Sequence, residues 1–220
     1  MNLAVDQPIL NSPFKEPTRY WIYDQQTKQA VVMEGRRPAG YYFRARRRPD
    51  EGQLSFLAEE QFVQLELVNA IRQRVGEWRK DGYPGATPIT RQLLNWWARP
   101  DRERRLFFCQ REAAETVIWL AEIHATQRRG LQIPLGRPLD EISLGKGYRP
   151  LTRYGVKMAT GSGKTVVMAM LIAWSVLNKG HHPQDRRFSD AVLVVCPNLT
   201  ARVVGHDKAE AGESAQWRQK

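Results

Sequence analysis

The sequence predicts an α/β protein, in which part of a parallel sheet with flanking helices follows a mainly helical region and an N-terminal β-hairpin. A glycine-containing turn at 160–165 lies between a short apolar segment and a long helix that is apolar on nearly all sides. Such a helix is expected to be buried on several faces. A continuous apolar run at 191–196 is typical of a parallel strand that is buried on both faces. Strand, helix and strand in this order predict a right-handed βαβ unit of a doubly wound fold.

The composition is that of an ordinary globular protein with a basic bias. The 220 residues include 34 Lys and Arg against 23 Asp and Glu, which gives a formal charge of +11. A basic field attracts polyanions but does not by itself define a site. The sequence has no apolar run of transmembrane length, no signal-peptide pattern, and only two cysteines. We therefore expect a cytoplasmic protein without a disulfide framework.

The N-terminal part is expected to hold a hairpin and a basic, aromatic segment. Residues 21–23 and 29–33 flank a polar turn at 24–27. The stretch that follows interleaves arginines with aromatic residues, a composition suited to phosphate contact and base stacking. Its members are Arg36, Arg37, Tyr41, Tyr42, Phe43, Arg44, Arg46, Arg47 and Arg48. Charge runs are often only solvated, so a plain linker is the alternative.

Three amphipathic helices are predicted next. The first spans about 60–80, because its apolar residues recur every three or four positions. The second spans about 88–98, with Thr87 as N-cap and a proline in the first turn. The third spans about 110–126. The first two could form a DNA-reading helix-turn-helix, but their Pro-rich joint favours ordinary packing.

These patterns divide the chain into four parts. Residues 1–58 hold the hairpin and the basic segment, and residues 59–130 hold the helical accessory region. Residues 131–152 are predicted to be a linker, because Gly and Pro punctuate them without a sustained period. Residues 153–220 contain the glycine-containing turn and the two predicted strands.

The segment YGVKMATGSGKTVVMAM carries the clearest chemical signal. Glycines in its turn allow backbone amides to converge on phosphate oxygens, at the positive end of the following helix. Lys164 would reach the β- and γ-phosphates and Thr165 would hold Mg²⁺, so these two are the candidate catalytic residues. The expected binding set is Thr160, Gly161, Ser162, Gly163, Lys164 and Thr165. The alternative is a chance match in which Lys164 is only a surface residue.

At these residues the chain resembles the superfamily 2 helicases and translocases, in which motif I commonly reads AxTGSGKT. The following VLVVCPNLTAR is similar to motif Ia of that group, where polar residues contact the nucleic-acid backbone. Pro197, Asn198 and Thr200 are the corresponding residues, with a plain strand-to-helix turn as the alternative. Within the superfamily, FFCQREAAETVIWL and VKMATGSGKTVVMAMLIAW resemble the helicase (Res) subunit of type III restriction enzymes. The opening PILNSPFKEPTRYW and EGRRP are also similar to that family's N-terminus.

This resemblance implies an incomplete RecA-like P-loop domain that holds motifs I and Ia. It implies ATP and Mg²⁺ as cofactors, double-stranded DNA as the track of translocation, and a methyltransferase (Mod-like) partner that supplies sequence specificity. Gln110 corresponds to the glutamine upstream of motif I that reads adenine, since an amide donates and accepts hydrogen bonds at once. A polar residue at a helix N-terminus with no ligand is the alternative.

Two chemical activities are not expected of this sequence alone. ATP hydrolysis by such a motor needs an acidic DExx motif, and none follows Cys196. We therefore expect weak nucleotide binding with little turnover, from a truncated or frame-shifted product. A nuclease of the PD-(D/E)xK type is excluded, because none of the nine lysines has an acidic residue two positions before it.

Two other function classes stay open. A kinase for a nucleotide or small molecule would use the same phosphate loop, although the long region before the loop and the TGSGKT wording argue against it. A non-catalytic remnant would bind nucleic acid by charge alone. Nucleic-acid binding that weakens steeply with salt and does not change with ATP would favour that remnant.

Overall fold

The computed structural model describes residues 7–24, 29–43, 61–133, 140–147 and 153–195. Within these ranges, two small antiparallel sheets precede five α-helices. The presence of both sheets and helices agrees with a broad α/β class. No helix among the described residues is long and apolar enough to cross a lipid bilayer.

The predicted N-terminal hairpin is confirmed. Strand β1 (Arg19–Asp24) pairs antiparallel with β2 (Gln29–Glu34), with Arg19 opposite Glu34 at the open end. Asn11 holds the entry to β1, because its Oδ1 accepts a hydrogen bond from the Thr18 amide at 2.9 Å. The residues of the connecting turn, 25–28, lie outside the described residues.

The aromatic part of the basic segment forms a strand. Strand β3 (Gly40–Phe43) pairs antiparallel with β4 (Gln61–Gln64), so that Gly40 lies opposite Gln64. The chain between them, which contains Arg44, Arg46, Arg47 and Arg48, lies outside the described residues. The alternation of side chains places Tyr42 on one face of β3, and Tyr41 and Phe43 on the other.

The helix predicted from residue 60 begins later than expected. Helix α1 spans Glu66–Lys80, and residues 61–64 belong to β4 instead. Phe62 fits both patterns, since it lies at helical spacing from Leu65 and also opposite Tyr42 in the sheet. The two aromatic rings lie 5.2 Å apart, and such a cross-strand pair stabilises the strand. The prediction of helix at 61–65 was therefore wrong.

The other helices agree more closely with the predicted spans. Their bounds are α2 Pro88–Ala98, α3 Phe108–Glu122, α4 Glu141–Gly145 and α5 Lys164–His181. Thr87 caps α2 as predicted, and its hydroxyl oxygen accepts a hydrogen bond from the Thr90 amide at 3.1 Å. A 3-10 turn at Ala125–Arg128 follows α3, so the regular helix ends at Glu122, four residues before the predicted end.

One apolar core joins α1, α2, α3 and α5. It is centred on large buried side chains, among them Val75, Trp78, Leu94, Trp97, Ile118, Trp119, Met170, Trp174 and Phe188. The helix that follows the glycine turn thus packs against the helices of the predicted accessory region. The division of the chain into four parts stays a prediction. The short helix α4 lies inside the predicted linker.

The predicted parallel sheet is not present among the described residues. The segments 153–159 and 191–195 do not form strands there, and both described sheets are antiparallel. A parallel strand obtains its hydrogen bonds from neighbouring strands, and neither segment has a described neighbour. Leu193 is 87% exposed and Val195 is 80% exposed, whereas burial on both faces was predicted.

Helix α5 is buried on one face rather than on several. Its buried positions are Val167, Met170, Trp174 and Asn178, which follow helical spacing and face α2 and α3. Val166 and Leu177, by contrast, are 39% and 46% exposed. The prediction of burial on several faces was therefore wrong for the described residues, because no sheet packs over the remaining faces there.

Candidate nucleotide-binding site

The glycine turn leads directly into helix α5. Gly161 and Gly163 have φ values of +78° and +84°, a left-handed conformation that glycine adopts without steric strain. The helix begins at Lys164, and the amides of Val166 and Val167 donate to the carbonyl oxygen of Gly163. The predicted order of turn and helix is confirmed, and the positive end of α5 lies at the turn.

The loop is closed by hydrogen bonds to a single carbonyl group. The Ala159 oxygen accepts from Lys164 Nζ at 2.8 Å, from Ser162 Oγ at 2.7 Å and from the Ser162 amide at 3.3 Å. Both Lys164 and Thr165 are exposed to solvent. An anion that binds at the end of α5 therefore competes with Ala159 for the Lys164 ammonium group.

Gln110 connects helix α3 to this loop. Its Nε2 donates to the carbonyl oxygen of Ser162 at 3.0 Å, and its Oε1 accepts from the Phe107 amide at 2.9 Å. The side chain is only 6% exposed. A Cβ atom on Gly163 would overlap Gln110 Nε2, so a side chain there would displace the Gln110 amide from its present position. The structure thus brings Gln110 together with the predicted phosphate loop.

The amide of Gln110 keeps part of its hydrogen-bonding capacity. A glutamine amide has two N–H donors and two acceptor lone pairs, and the two contacts described above use one of each. Among the described residues, one donor and one acceptor are left without a partner, which is the pair that recognition of an adenine edge needs. That role stays a prediction, and so does the alternative of a polar residue at a helix N-terminus with no ligand.

Residues 104–202 match the family model of the Res subunit of type III restriction enzymes. Over these residues, which are less than half of the chain, the sequence is similar to the Res-subunit family. The match includes Gln110 and the whole phosphate loop, and it indicates a helicase-type P-loop NTPase. No curated protein and no solved structure gives a significant match to the chain.

A buried carboxylate that sequence reasoning missed joins the matched segment to helix α2. Glu122, at the end of α3, is 3% exposed. It accepts hydrogen bonds from the Thr87 amide, from Thr90 Oγ1 at 2.8 Å and from Trp174 Nε1 at 2.9 Å. These contacts join α2, α3 and α5 at one point. They fix the position of the phosphate-loop helix relative to the helix that carries Gln110.

Asn178 extends this network along α5. Its Nδ2 donates to Thr90 Oγ1 at 3.0 Å and to the Trp174 carbonyl oxygen at 2.8 Å. Its Oδ1 accepts from the Thr87 hydroxyl. The sequence contains one signal of this arrangement, since Trp174 and Asn178 lie four positions apart in an otherwise apolar helix.

A second buried carboxylate joins α1 to α3. Glu115 Oε2 accepts from Arg79 Nε at 2.8 Å and from Arg79 Nη2 at 2.6 Å. Glu115 Oε1 accepts from the Tyr83 hydroxyl at 3.0 Å. Burial raises the pKa of the Tyr83 hydroxyl well above its ordinary value, and the neighbouring Glu115 charge adds to that shift.

The N-terminal segment is tied to the first turns of α3. Arg36 donates to Glu112 through both terminal nitrogens and to Glu16 at 3.1 Å. The Phe108 amide donates to the Pro13 carbonyl oxygen at 2.7 Å. Residues that precede the Res-family match therefore brace the helix on which Gln110 lies.

The remaining predicted site residues fall into two groups. Thr160 and Gly161 lie in the turn, next to the residues that contact Ala159 and Gln110. Pro197, Asn198 and Thr200, the predicted nucleic-acid contacts, lie outside the described residues. Among the described residues, no group of three or more His, Cys, Asp and Glu side chains could hold a metal ion. Thr165 stays the predicted Mg²⁺ ligand.

Proposed function

We propose that this chain is the ATP-binding part of a DNA helicase or translocase of the Res type. The observation that carries the proposal is the hydrogen bond between Gln110 and Ser162. It brings the predicted adenine-reading side chain onto the backbone of the predicted phosphate loop. A chance GSGKT match gives no reason for a glutamine 52 positions away to be buried against that loop.

The loop is well suited to bind the phosphates of ATP·Mg²⁺. Lys164 would exchange its contact with the Ala159 carbonyl for the β- and γ-phosphates, and the exposed Thr165 hydroxyl would reach Mg²⁺. The metal ion supplies positive charge that bridges the phosphate oxygens. The positive end of α5 supports the same anion, because its first amides have no partners within the helix.

The Gln110 side chain would contact both the adenine base and the phosphate loop. Gln110 keeps one donor and one acceptor beyond its contacts with Ser162 and Phe107. A base that pairs with this amide would also hold it in the orientation that binds Ser162. Binding of adenine and ordering of the loop are thereby coupled, which favours ATP over GTP.

The other features of a Res motor are proposed from the family resemblance. A RecA-like parallel sheet would cover the exposed apolar side chains of α5, and residues 191–195 would form one of its strands. Pro197, Asn198 and Thr200 would contact the backbone of double-stranded DNA, and a Mod-like methyltransferase would supply sequence specificity. We propose that residues 1–220 by themselves bind ATP with little hydrolysis, because they contain no DExx motif after Cys196.

Thermal unfolding with Mg·ATP and Mg·GTP tests this proposal. A ligand present at 100 times its Kd stabilises the folded state by about 2.7 kcal/mol, which raises the melting temperature. We expect such a rise for the parent protein and for Lys157→Ala, which removes an exposed lysine before the loop. The Lys164→Ala variant should lose the rise. ATP should raise the melting temperature of the parent more than GTP does, whereas the two nucleotides should raise that of Gln110→Ala equally.

Other outcomes would point to different functions. An equal rise in Lys164→Ala and in the parent would contradict nucleotide binding by this loop. No rise in any variant, together with salt-sensitive binding of nucleic acid, would favour the non-catalytic remnant. Transfer of phosphate to a small acceptor would favour the kinase.

A further inference from the structure

A second cleft lies away from the phosphate loop. It has a volume of about 540 Å³ and lies between residues 36–38 and one face of helix α1. Asn69, Arg72, Gln73, Gly76 and Lys80 line the helical side. Gln64, at the end of β4, closes it next to the second sheet. None of the residues that form this cleft belongs to the phosphate loop.

The cleft has more positive than negative charge. Four cationic side chains and two carboxylates line it, namely Arg36, Arg37, Arg72, Lys80, Glu16 and Glu77. Both carboxylates already have partners. Glu16 lies 3.1 Å from Arg36, and Glu77 lies 3.7 Å from Arg74 and accepts a hydrogen bond from Gln73. The excess positive charge is therefore available to an anion.

Among the cationic side chains that line the cleft, Arg72 has the surroundings that most favour a bound anion. Its side chain is half-buried, and no carboxylate of the described residues hydrogen-bonds it. Arg36 differs, since its guanidinium group is bound to Glu112 and Glu16. Burial lowers the pKa of Arg72, and the neighbouring Arg36 charge lowers it further. A bound anion would relieve this repulsion.

An exposed aromatic pair adjoins the cationic cleft. Arg37 Nη2 donates to the Tyr42 hydroxyl at 3.1 Å, and its guanidinium carbon lies 5.9 Å from the centre of the Tyr42 ring. The Tyr42 side chain is 56% exposed, and Phe62 lies beside it on the same face of the sheet. Any nucleic-acid base can stack on such a ring, so the contact does not depend on the nucleotide sequence.

We propose that this cleft binds phosphate groups of a single nucleic-acid strand through Arg37, Arg72 and Lys80, while Tyr42 stacks a base of that strand. A single strand is favoured over a duplex because a surface ring can stack only a base that is free on one face. The site is separate from the phosphate loop, and its function does not depend on ATP binding. It gives the aromatic and basic segment around β3 a specific role.

Fluorescence anisotropy with a labelled oligothymidine and the full chain, without nucleotide, tests the proposal. Arg72→Gln should weaken binding about tenfold, since a hydrogen bond to a charged group contributes about 1.5–3 kcal/mol. It should also reduce the slope of log K against log salt by about 0.7. Arg91→Gln is the control. It removes the same charge from an exposed position on α2, outside the cleft, and affinity should change by less than about twofold.

A second pair of variants tests the stacking contact. Tyr42→Ala should weaken oligothymidine binding about fivefold or more without a change in salt slope, because stacking contributes about 1–3 kcal/mol per base. Tyr41→Ala removes a ring of similar exposure from the opposite face of β3 and should have little effect. Binding of a duplex should not distinguish the two variants.

Three results would overturn the proposal. Equal weakening by Arg72→Gln and Arg91→Gln would assign binding to the general basic field. Stabilisation by inorganic phosphate that depends on Arg72, with unchanged oligothymidine affinity, would indicate a site for a small anion. Arg72→Gln could also bind weakly because it does not fold, and circular dichroism detects that case. Arg72→Lys keeps the charge and should retain most of the affinity. Failure of Arg72→Lys to retain it in a folded chain would contradict the charge-based contact.

Discussion

Gln110 Nε2 donates a hydrogen bond of 3.0 Å to the carbonyl oxygen of Ser162, so the first turn of α3 is bonded directly to the phosphate loop. The close contact extends to Gly163, where any side chain would overlap the same nitrogen atom. The loop conformation and the position of α3 therefore depend on each other. This relationship can be tested without any nucleotide.

Substitution of the two loop glycines should have different costs. Gly161→Ala should lower the free energy of unfolding by about 1–2 kcal/mol, because an L-residue is strained at positive φ. Gly163→Ala has a similar φ but adds the overlap with Gln110, so the loss should be larger. Urea unfolding measures both. The space around Gly161 is open, which makes Gly161→Ala the matched control.

A double variant isolates the contact itself. In Gly163→Ala combined with Gln110→Ala, the overlap is gone, and the cost should be less than the sum of the single variants by about 0.5–3 kcal/mol. Strict additivity would show that Gln110 and Gly163 do not contact each other in solution.

Glu122→Gln should destabilise the fold by about 1–3 kcal/mol, because the buried carboxylate accepts hydrogen bonds from three donors. A glutamine amide presents an NH₂ group to at least one of these donors, which leaves that donor unpaired. Glu103→Gln on the exposed surface is the control and should change stability by less than about 0.5 kcal/mol. Similar urea midpoints for the two variants would argue against the network.

Stability should fall in alkaline solution through Tyr83. The folded state keeps the Tyr83 hydroxyl protonated because burial raises its pKa, whereas in the unfolded chain this group ionises near its ordinary value of 10.0. Above about pH 10 the unfolded state alone loses a proton, so the free energy of unfolding decreases as pH rises. Below that pH the contribution is fully present.

Urea unfolding between pH 8 and about pH 11 measures this effect. Tyr83→Phe should have a shallower alkaline decline, although it should be about 1 kcal/mol less stable at neutral pH because Glu115 loses a donor. Tyr41→Phe, at an exposed position, should leave the parent's slope unchanged. An unchanged slope in Tyr83→Phe would place the alkaline transition elsewhere.

Arg36→Lys should weaken the attachment of the N-terminal segment to α3. Arginine donates to both oxygens of Glu112 at once, and a lysine ammonium group cannot reproduce this geometry. Since the pair is mostly shielded from solvent, with side chains 24% and 13% exposed, we expect a loss of about 1–2 kcal/mol. Arg91→Lys on the exposed face of α2 should be neutral in the same urea measurement. Equal stability of the two variants would show that the simultaneous contact of Arg36 with both Glu112 oxygens adds nothing.

Local signals predicted the parts of the structure that depend on near neighbours. The cap at Thr87 and the left-handed glycines before Lys164 are decided within a few residues, and the structure has both. Phe62 shows the limit of such signals. Its spacing fits a helix, but the ring is 5.2 Å from that of Tyr42, and pairing with β3 makes it part of a strand. The apolar run at 191–195 predicted a buried strand. Apolar character alone does not provide the neighbouring strand that such a strand needs, and the described residues contain none.

The sequence by itself determined the phosphate loop, its helix and the resemblance to Res subunits, because short-range backbone preferences and residue types decide these features. Only the tertiary structure decided that Gln110 lies on Ser162, that Glu122 joins three helices, and that Arg72 faces a basic cleft. Each of these contacts joins residues that are far apart in the chain. Their partners are chosen by the packing of α1, α2, α3 and α5 around one core, which no local pattern encodes.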